Sequence, residues 1–220
     1  MSSSENCPSP PVGHQARPNW QAGSRLTAEA CTLEQNYRLQ KLRRHNRDLH
    51  GWGVLCGLWV VPAADGSHPW EIQICPGYAI GPYGDEIEVI QAARINVEDY
   101  LWFRPQIFAT IAVFPTPAYV AIRYQNWTDD LTLVPNAPCT CDNPNYVDAR
   151  IADGFQAGIV WTPAKDFSRP QTLESLCQPG SMPCPLCPPS PWVLLASINL
   201  PPRGTPITAA MIDNSFRNSL

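Results

Sequence analysis

The chain has 220 residues, of which 15% are charged and 25 are proline, and its formal net charge is −4. An acidic chain is not expected to be a general nucleic-acid binder, and prolines this frequent indicate stiff, irregular connections rather than extra helices. No apolar run is long enough to span a bilayer, and no repeat of solenoid length is present.

The predicted organisation begins with a Ser-, Pro- and Gly-rich segment that has little to bury except Trp20. We expect residues 1–24 to form an extended arm, residues 25–200 to form a helix plus a β-domain, and residues 201–220 to form a C-terminal tail. The N-terminus lacks the charged and apolar regions of a secretory signal, so we expect assembly in the cytoplasm.

One long helix is predicted directly after the arm. Residues 27–50 contain no Gly or Pro and are rich in good helix formers. Thr27 is a predicted N-cap, and Gly51 and Gly53 are expected to end the helix in a sharp turn that needs positive φ. The basic residues near the helix end, Lys41, Arg43, Arg44, His45 and Arg47, are interpreted as a solvated face that suits the helix dipole.

Apolar residues mark two faces of this predicted helix. One face carries Leu26, Ala30, Leu33 and Tyr37, and the other carries Cys31, Leu39, Leu42 and Leu49. A helix on a single core needs only one apolar stripe. Two interpretations stay open, namely burial on both sides within one domain or packing against another subunit.

Two histidines near the end of the helix, with Asp48 between them, invite a metal or catalytic site. His45 and His50 are five residues apart, or about 140° around an α-helix, so they are not expected to share a face. Their spacing also differs from the i,i+4 pair of zinc proteases. A structural role is favoured, with His50 bonding the helix end or the glycine turn.

The rest of the chain reads as strands separated by turns. Residues 54–61 are predicted to form one strand buried on both faces, with Cys56 as a small core residue, as is Cys75. Further strands are predicted at 70–74, 78–80, 86–89, 119–127, 154–161 and 192–200, with a short helical turn within 96–103. The fold class is mainly β, an antiparallel β-sandwich or barrel-like domain with one long N-terminal α-helix and long Pro- and Cys-rich loops.

The strongest chemical signal is a set of cysteines in the two long predicted loops, 128–149 and 163–191. Cys139 and Cys141 form a Cys-x-Cys pair, Cys184 and Cys187 form a Cys-x-x-Cys pair, and Cys177 could replace one of them. Paired short spacings are typical of structural zinc sites. We therefore predict one structural Zn²⁺ held by Cys139, Cys141, Cys184 and Cys187, with Cys177 in reserve.

Disulfides between the two loops and free thiols remain open alternatives to the metal. A redox role for Cys184 and Cys187 is disfavoured, because prolines and a strand follow where a reactive cysteine needs a helix N-terminus. No nucleophile elbow, phosphate loop, dinucleotide fingerprint or pair of catalytic carboxylates is present, so we expect no enzymatic activity.

Two stretches resemble a known family. Residues 39–58, Leu-Gln-Lys-Leu-Arg-Arg-His-Asn-Arg-Asp-Leu-His-Gly-Trp-Gly-Val-Leu-Cys-Gly-Leu, and residues 74–87 are similar to small proteins associated with phage tails and phage-tail-like contractile injection systems. The resemblance covers about 50 residues well, and the paired-cysteine loops look similar.

The resemblance implies a structural component of a tail tube, cap, baseplate or attachment apparatus, with no catalytic residues. The expected partners are other tail or baseplate proteins and copies of the chain itself, and the particle could contact a membrane peripherally. The low charge, the arm and the two-faced helix are also typical of a subunit covered by neighbours. The alternative is a monomeric β-sandwich that binds a ligand or carbohydrate through exposed tryptophans.

Overall fold

The computed structural model describes residues 16–63, 68–101, 117–133, 146–161, 188–202 and 204–220. The helices are α1 Ala28–His45, which continues into a π-helical turn Asn46–His50, and α2 Val97–Leu101. In chain order the strands are β1 Gly53–Gly57, β2 Val60–Pro62, β3 Glu71–Ile74, β4 Gly77–Ile80, β5 Glu86–Val89, β6 Ala93–Asn96, β7 Ala118–Leu133, β8 Tyr146–Val160, β9 Val193–Ile198 and β10 Ile212–Asp213.

Antiparallel pairing joins these ten strands into three sheets with the orders β1-β4-β5, β2-β3-β6 and β10-β9-β7-β8. The predicted fold class is confirmed, since the described chain is mainly β, resembles a sandwich and has one long N-terminal helix. The central position expected for residues 119–127 is also observed, because β7 lies between β9 and β8.

The predicted single strand over residues 54–61 is wrong, because the chain changes sheet in its middle. Gly57 and Leu58 both have positive φ, at 62° and 55°. These two left-handed residues separate β1, which pairs with β4, from β2, which pairs with β3. β1 and β2 together pair with β4 and β3 as one two-stranded ribbon. The Leu58 amide donates to the Pro76 carbonyl at 3.2 Å, so both chains of this ribbon bend at the same corner.

Burial on both faces of residues 54–61 is also wrong. Val54, Leu58 and Val60 are buried, but Leu55, Cys56 and Trp59 are exposed. The ribbon therefore has one face toward the core and one toward solvent, as antiparallel sheets commonly do. Cys56 is consequently not the core residue that was predicted, and Cys75 is partly buried.

The buried residues of all three sheets form one apolar cluster. Its largest fully buried side chains include Trp70, Leu58, Ile72 and Ile122. The indole of Trp70 donates from Nε1 to the Thr205 carbonyl at 3.1 Å. A buried aromatic is thus both a packing centre and a polar anchor for the C-terminal segment.

β7 and β8 form a hairpin longer than the sequence predicts, since the strands extend to Leu133 and from Tyr146 into the region expected to be loop. Their pairing continues from Tyr119 opposite Val160 to Leu133 opposite Tyr146. The predicted loop 128–149 is therefore wrong at both ends, where residues 128–133 and 146–149 belong to strands.

The C-terminal segment is bonded to several strands. The Asn214 side chain both accepts from the Val60 amide at 2.9 Å and donates to its carbonyl at 3.0 Å. The Asn218 side chain accepts from the Leu194 amide at 3.0 Å, and the Asn218 backbone carbonyl accepts from the Val54 amide at 2.6 Å. Residues 214–218 thus connect β1, β2 and β9.

None of the helices in the described ranges combines the length and the apolar character that crossing a membrane requires.

Candidate interaction surface and its joint with the sheets

α1 begins where its sequence predicts. Thr27 is extended, with φ −109° and ψ 155°, and its hydroxyl oxygen accepts from the Ala30 amide at 3.2 Å. This contact satisfies one of the amides that the first turn leaves without a helical partner. The predicted N-cap is confirmed.

Most of the surface of α1 is exposed. None of its 18 residues is buried. The large apolar side chains on and beside it are between 41% and 76% exposed, namely Leu26, Leu33, Leu39, Leu42 and Leu49. Within the described part of the chain, burial of α1 on both sides is therefore not observed, and the leucines of its two predicted apolar faces stay exposed.

The described end of the N-terminal segment lies against one side of α1. The Trp20 indole donates to Glu34 Oε2 at 2.8 Å, and the Arg17 guanidinium lies 6.0 Å from the centre of the Tyr37 ring. The hydrogen bond from Trp20, followed by that from Arg38, lowers the pKa of the Glu34 carboxyl. Residues 17–20 thus cover part of the face that carries Tyr37.

An ion pair joins the C-terminal end of α1 to the β4–β5 turn. The Arg43 guanidinium pairs with the Asp85 carboxylate and lies 5.6 Å from the centre of the Tyr124 ring on β7. Burial raises the pKa of Asp85, although the Arg43 charge opposes this. Burial also raises the pKa of Tyr124, to about 12, together with the hydrogen bond from its hydroxyl to Asp153.

A buried amide makes a second contact between the end of the helix and the β4–β5 turn. This contact and the Arg43–Asp85 pair are together called the joint. Asn46 is the one buried polar side chain in the described part of the chain, and its Nδ2 donates to the Gly84 carbonyl at 3.1 Å. Gly84 has φ +87°, and a Cβ there would lie far inside 3.0 Å of the Arg43 carbonyl oxygen. The helix backbone therefore passes directly over a glycine.

The π-helical turn corrects the interpretation of the two histidines. A π-helix closes hydrogen bonds between residues five apart, so it aligns positions that an α-helix would separate. His45 Nε2 and His50 Nε2 are 3.2 Å apart, with ring centres 5.0 Å apart and planes at 66°. The expectation that the two side chains do not share a face is wrong.

The predicted metal ligands Cys139, Cys141, Cys184 and Cys187, and the reserve ligand Cys177, lie outside the described residues. The strands that flank their loops are described. The first loop leaves β7 after Leu133, whereas β9 begins at Val193, which pairs with Ile122. Ile122 and Leu133 are eleven residues apart along β7, which corresponds to a distance on the order of 35 Å.

The cysteines that the structure does describe are free thiols: Cys31 and Cys56 are exposed and Cys75 is partly buried. Within the described ranges, no group of three or more His, Cys, Asp or Glu residues is placed to hold a metal ion.

Sequence reasoning missed the roles of Asn46, Gly84 and Asp85 in the joint. The only signals were indirect, because all three lie within the two stretches that carry the family resemblance. Asn46 and Gly84 are 38 residues apart in the chain, and no local sequence pattern marks their contact. No protein-family model matches the chain, and no curated protein is significantly similar to it in sequence.

Proposed function

We propose that this protein is a non-enzymatic structural subunit of a phage-tail-like contractile particle, and that it packs against neighbouring subunits through α1. The observation that carries the proposal is the exposure of α1, an 18-residue helix with no buried residue and leucines on both sides.

A helix of this kind gains little stability on its own. Although α1, with 18 residues, is longer than the isolated helices of under about 12–15 residues that are marginal in water, most of the stability of helices in proteins comes from packing of an apolar face. Burying one leucine side chain contributes about 1.5–3 kcal/mol. Covering the exposed part of several leucines would therefore stabilise α1 by several kcal/mol, and a neighbouring subunit would supply that cover.

The second support is where the resembling residues lie. The stretches 39–58 and 74–87 meet at the joint, where Arg43 pairs with Asp85 and Asn46 bonds to Gly84. The residues similar to contractile-particle proteins thus hold α1 in position against the sheets. A subunit that presents a helix to its neighbours needs this orientation to be constant.

The proposal is tested in the organism that encodes the chain. A tagged chain is expected to copurify with assembled contractile particles and to appear in a cryo-EM map, with α1 against another subunit. Leu33→Glu and Leu42→Glu, each placing a charge on one apolar side of α1, are expected to reduce incorporation at least tenfold.

Ile90→Glu is the matched control, because Ile90 is 76% exposed just after β5 and away from α1. It should incorporate normally. A wild-type chain that is monomeric and absent from the particles would contradict the proposal, as would equal incorporation of all three variants.

A further inference from the structure

We propose that His45 and His50 form a chelating site for one late transition-metal dication, Ni²⁺ or Cu²⁺ in preference to Zn²⁺. The site is distinct from the predicted cysteine site, and it holds whether or not the chain is a particle subunit.

The backbone preorganises the pair. His45 is the last residue of α1 and His50 the last residue of the π-helical turn, so the five-residue closure of that turn lies between them. Gly51, with φ 83° and ψ −158°, then ends the helix immediately after His50. Both ligands therefore come from regular helical backbone, which limits the entropy lost when they bind a metal.

The separation of the two nitrogens fits a metal. Imidazole nitrogens bind such ions at about 2.0–2.1 Å. Two nitrogens 3.2 Å apart at that bond length subtend about 100° at the metal. This nitrogen–metal–nitrogen angle lies between the ligand angles of octahedral and tetrahedral coordination. The two Nε2 atoms share a hydrogen bond, and an ion between them would take the place of the shared proton.

The surroundings leave the site open. Both histidine side chains are exposed, so an ion can enter and water can fill the remaining positions. Of the neighbouring cations, Arg47 pairs with Asp48 at 2.8 Å and Arg43 pairs with Asp85, which offsets part of the local positive charge, while Lys41 and Arg44 add to it. Two imidazoles without a thiolate or carboxylate favour Cu²⁺ and Ni²⁺ in the usual order of affinities.

The experiment is calorimetric titration with Ni²⁺. Because the nine cysteines could also bind metal, the protein is first loaded with Zn²⁺ and dialysed, so that thiolate sites are occupied. The wild type is expected to bind one Ni²⁺ per chain, and His45→Gln and His50→Gln are each expected to weaken this binding at least about tenfold. His68→Gln, an exposed histidine on another segment, is the control and should bind as the wild type does.

A thermal measurement distinguishes the site from adventitious binding. An ion that binds only the folded chain raises its melting temperature by mass action. Ni²⁺ should therefore raise the melting temperature of the wild type and of His68→Gln, but not of the other two variants. Both His45 and His50 are exposed, so their replacement is not expected to disturb folding.

Three outcomes would overturn the proposal. The wild type could show no saturable Ni²⁺ binding below about 1 mM, which is the range of weak association. The four proteins could bind equally, which would place the ion elsewhere. Binding could also depend on only one of the two histidines, which excludes a chelate.

Discussion

Gly84→Ala should separate α1 from the sheets, and its cost can be estimated from two contributions. At φ +87°, an alanine pays the strain of left-handed backbone, roughly 1–2 kcal/mol. Its Cβ would also overlap the Arg43 carbonyl oxygen, so the helix must move away. That movement would break the bond between Asn46 and the Gly84 carbonyl and leave the amide only its longer 3.5 Å contact with Glu86, and a buried donor without a good partner costs about 1–3 kcal/mol.

The sum predicts a loss of roughly 2–5 kcal/mol, measured as the free energy of unfolding by denaturant titration. Gly204→Ala is the matched control, because Gly204 has φ +85° and, its two chain neighbours aside, no atom of the described chain lies within 4 Å of its Cβ position. It should lose only about 1–2 kcal/mol, the backbone contribution.

Hydrogen exchange locates the damage. Gly84→Ala should lose amide protection in residues 43–50, while the sheets away from the joint keep theirs. If Gly84→Ala and Gly204→Ala lose equal stability and residues 43–50 stay protected, the close contact between Gly84 and Arg43 contributes nothing, and this account of the joint is wrong.

Three further predictions concern other parts of the chain. Gly51→Val should cost about 1–3 kcal/mol, because φ 83° with ψ −158° is a region that almost only glycine adopts; unchanged melting would contradict this. Burial raises the pKa of Tyr78 and of Tyr124 to about 12, so the folded state holds protons that free tyrosine loses near about pH 10. The stability that these two groups contribute is full below about pH 10 and is lost as the pH rises toward 12. Tyr124→Phe should remove one late step from the absorbance titration at high pH, and ionisation of every tyrosine near about pH 10 would refute this. Elemental analysis should find about one Zn²⁺ per chain, reduced in Cys184→Ser but not in Cys31→Ser, whereas a disulfide between the two cysteine loops in non-reducing mass spectrometry would exclude the four-cysteine site.

Elements governed by neighbouring residues were predictable from the sequence. Thr27 caps α1 because its hydroxyl reaches an amide only three residues away. Residues 71–74 form β3 with the expected alternation of buried Ile72 and Ile74. Gly51 and Gly53 have the positive φ that the expected turn required. In each case the determining interaction is local.

The features that define the candidate sites depend on residues far apart in the chain. Nothing in residues 54–61 indicates that Leu58 turns into another sheet, since Pro76 accepts its amide only in the folded ribbon. Alternation cannot tell whether Leu55 and Trp59 face a second layer or solvent. The tertiary structure decided both points.

The helix shows the same division. Its composition predicts that α1 forms, and its two apolar faces predict that something covers them. The change to π-helical closure cannot be read from residues 46–50, and it reverses which side chains share a face, so His45 and His50 meet. The sequence by itself determined the local backbone preferences, because these depend on adjacent residues. Only tertiary structure decided sheet membership, exposure and the joint at Gly84, because these depend on contacts between segments whose pairing has no local signal.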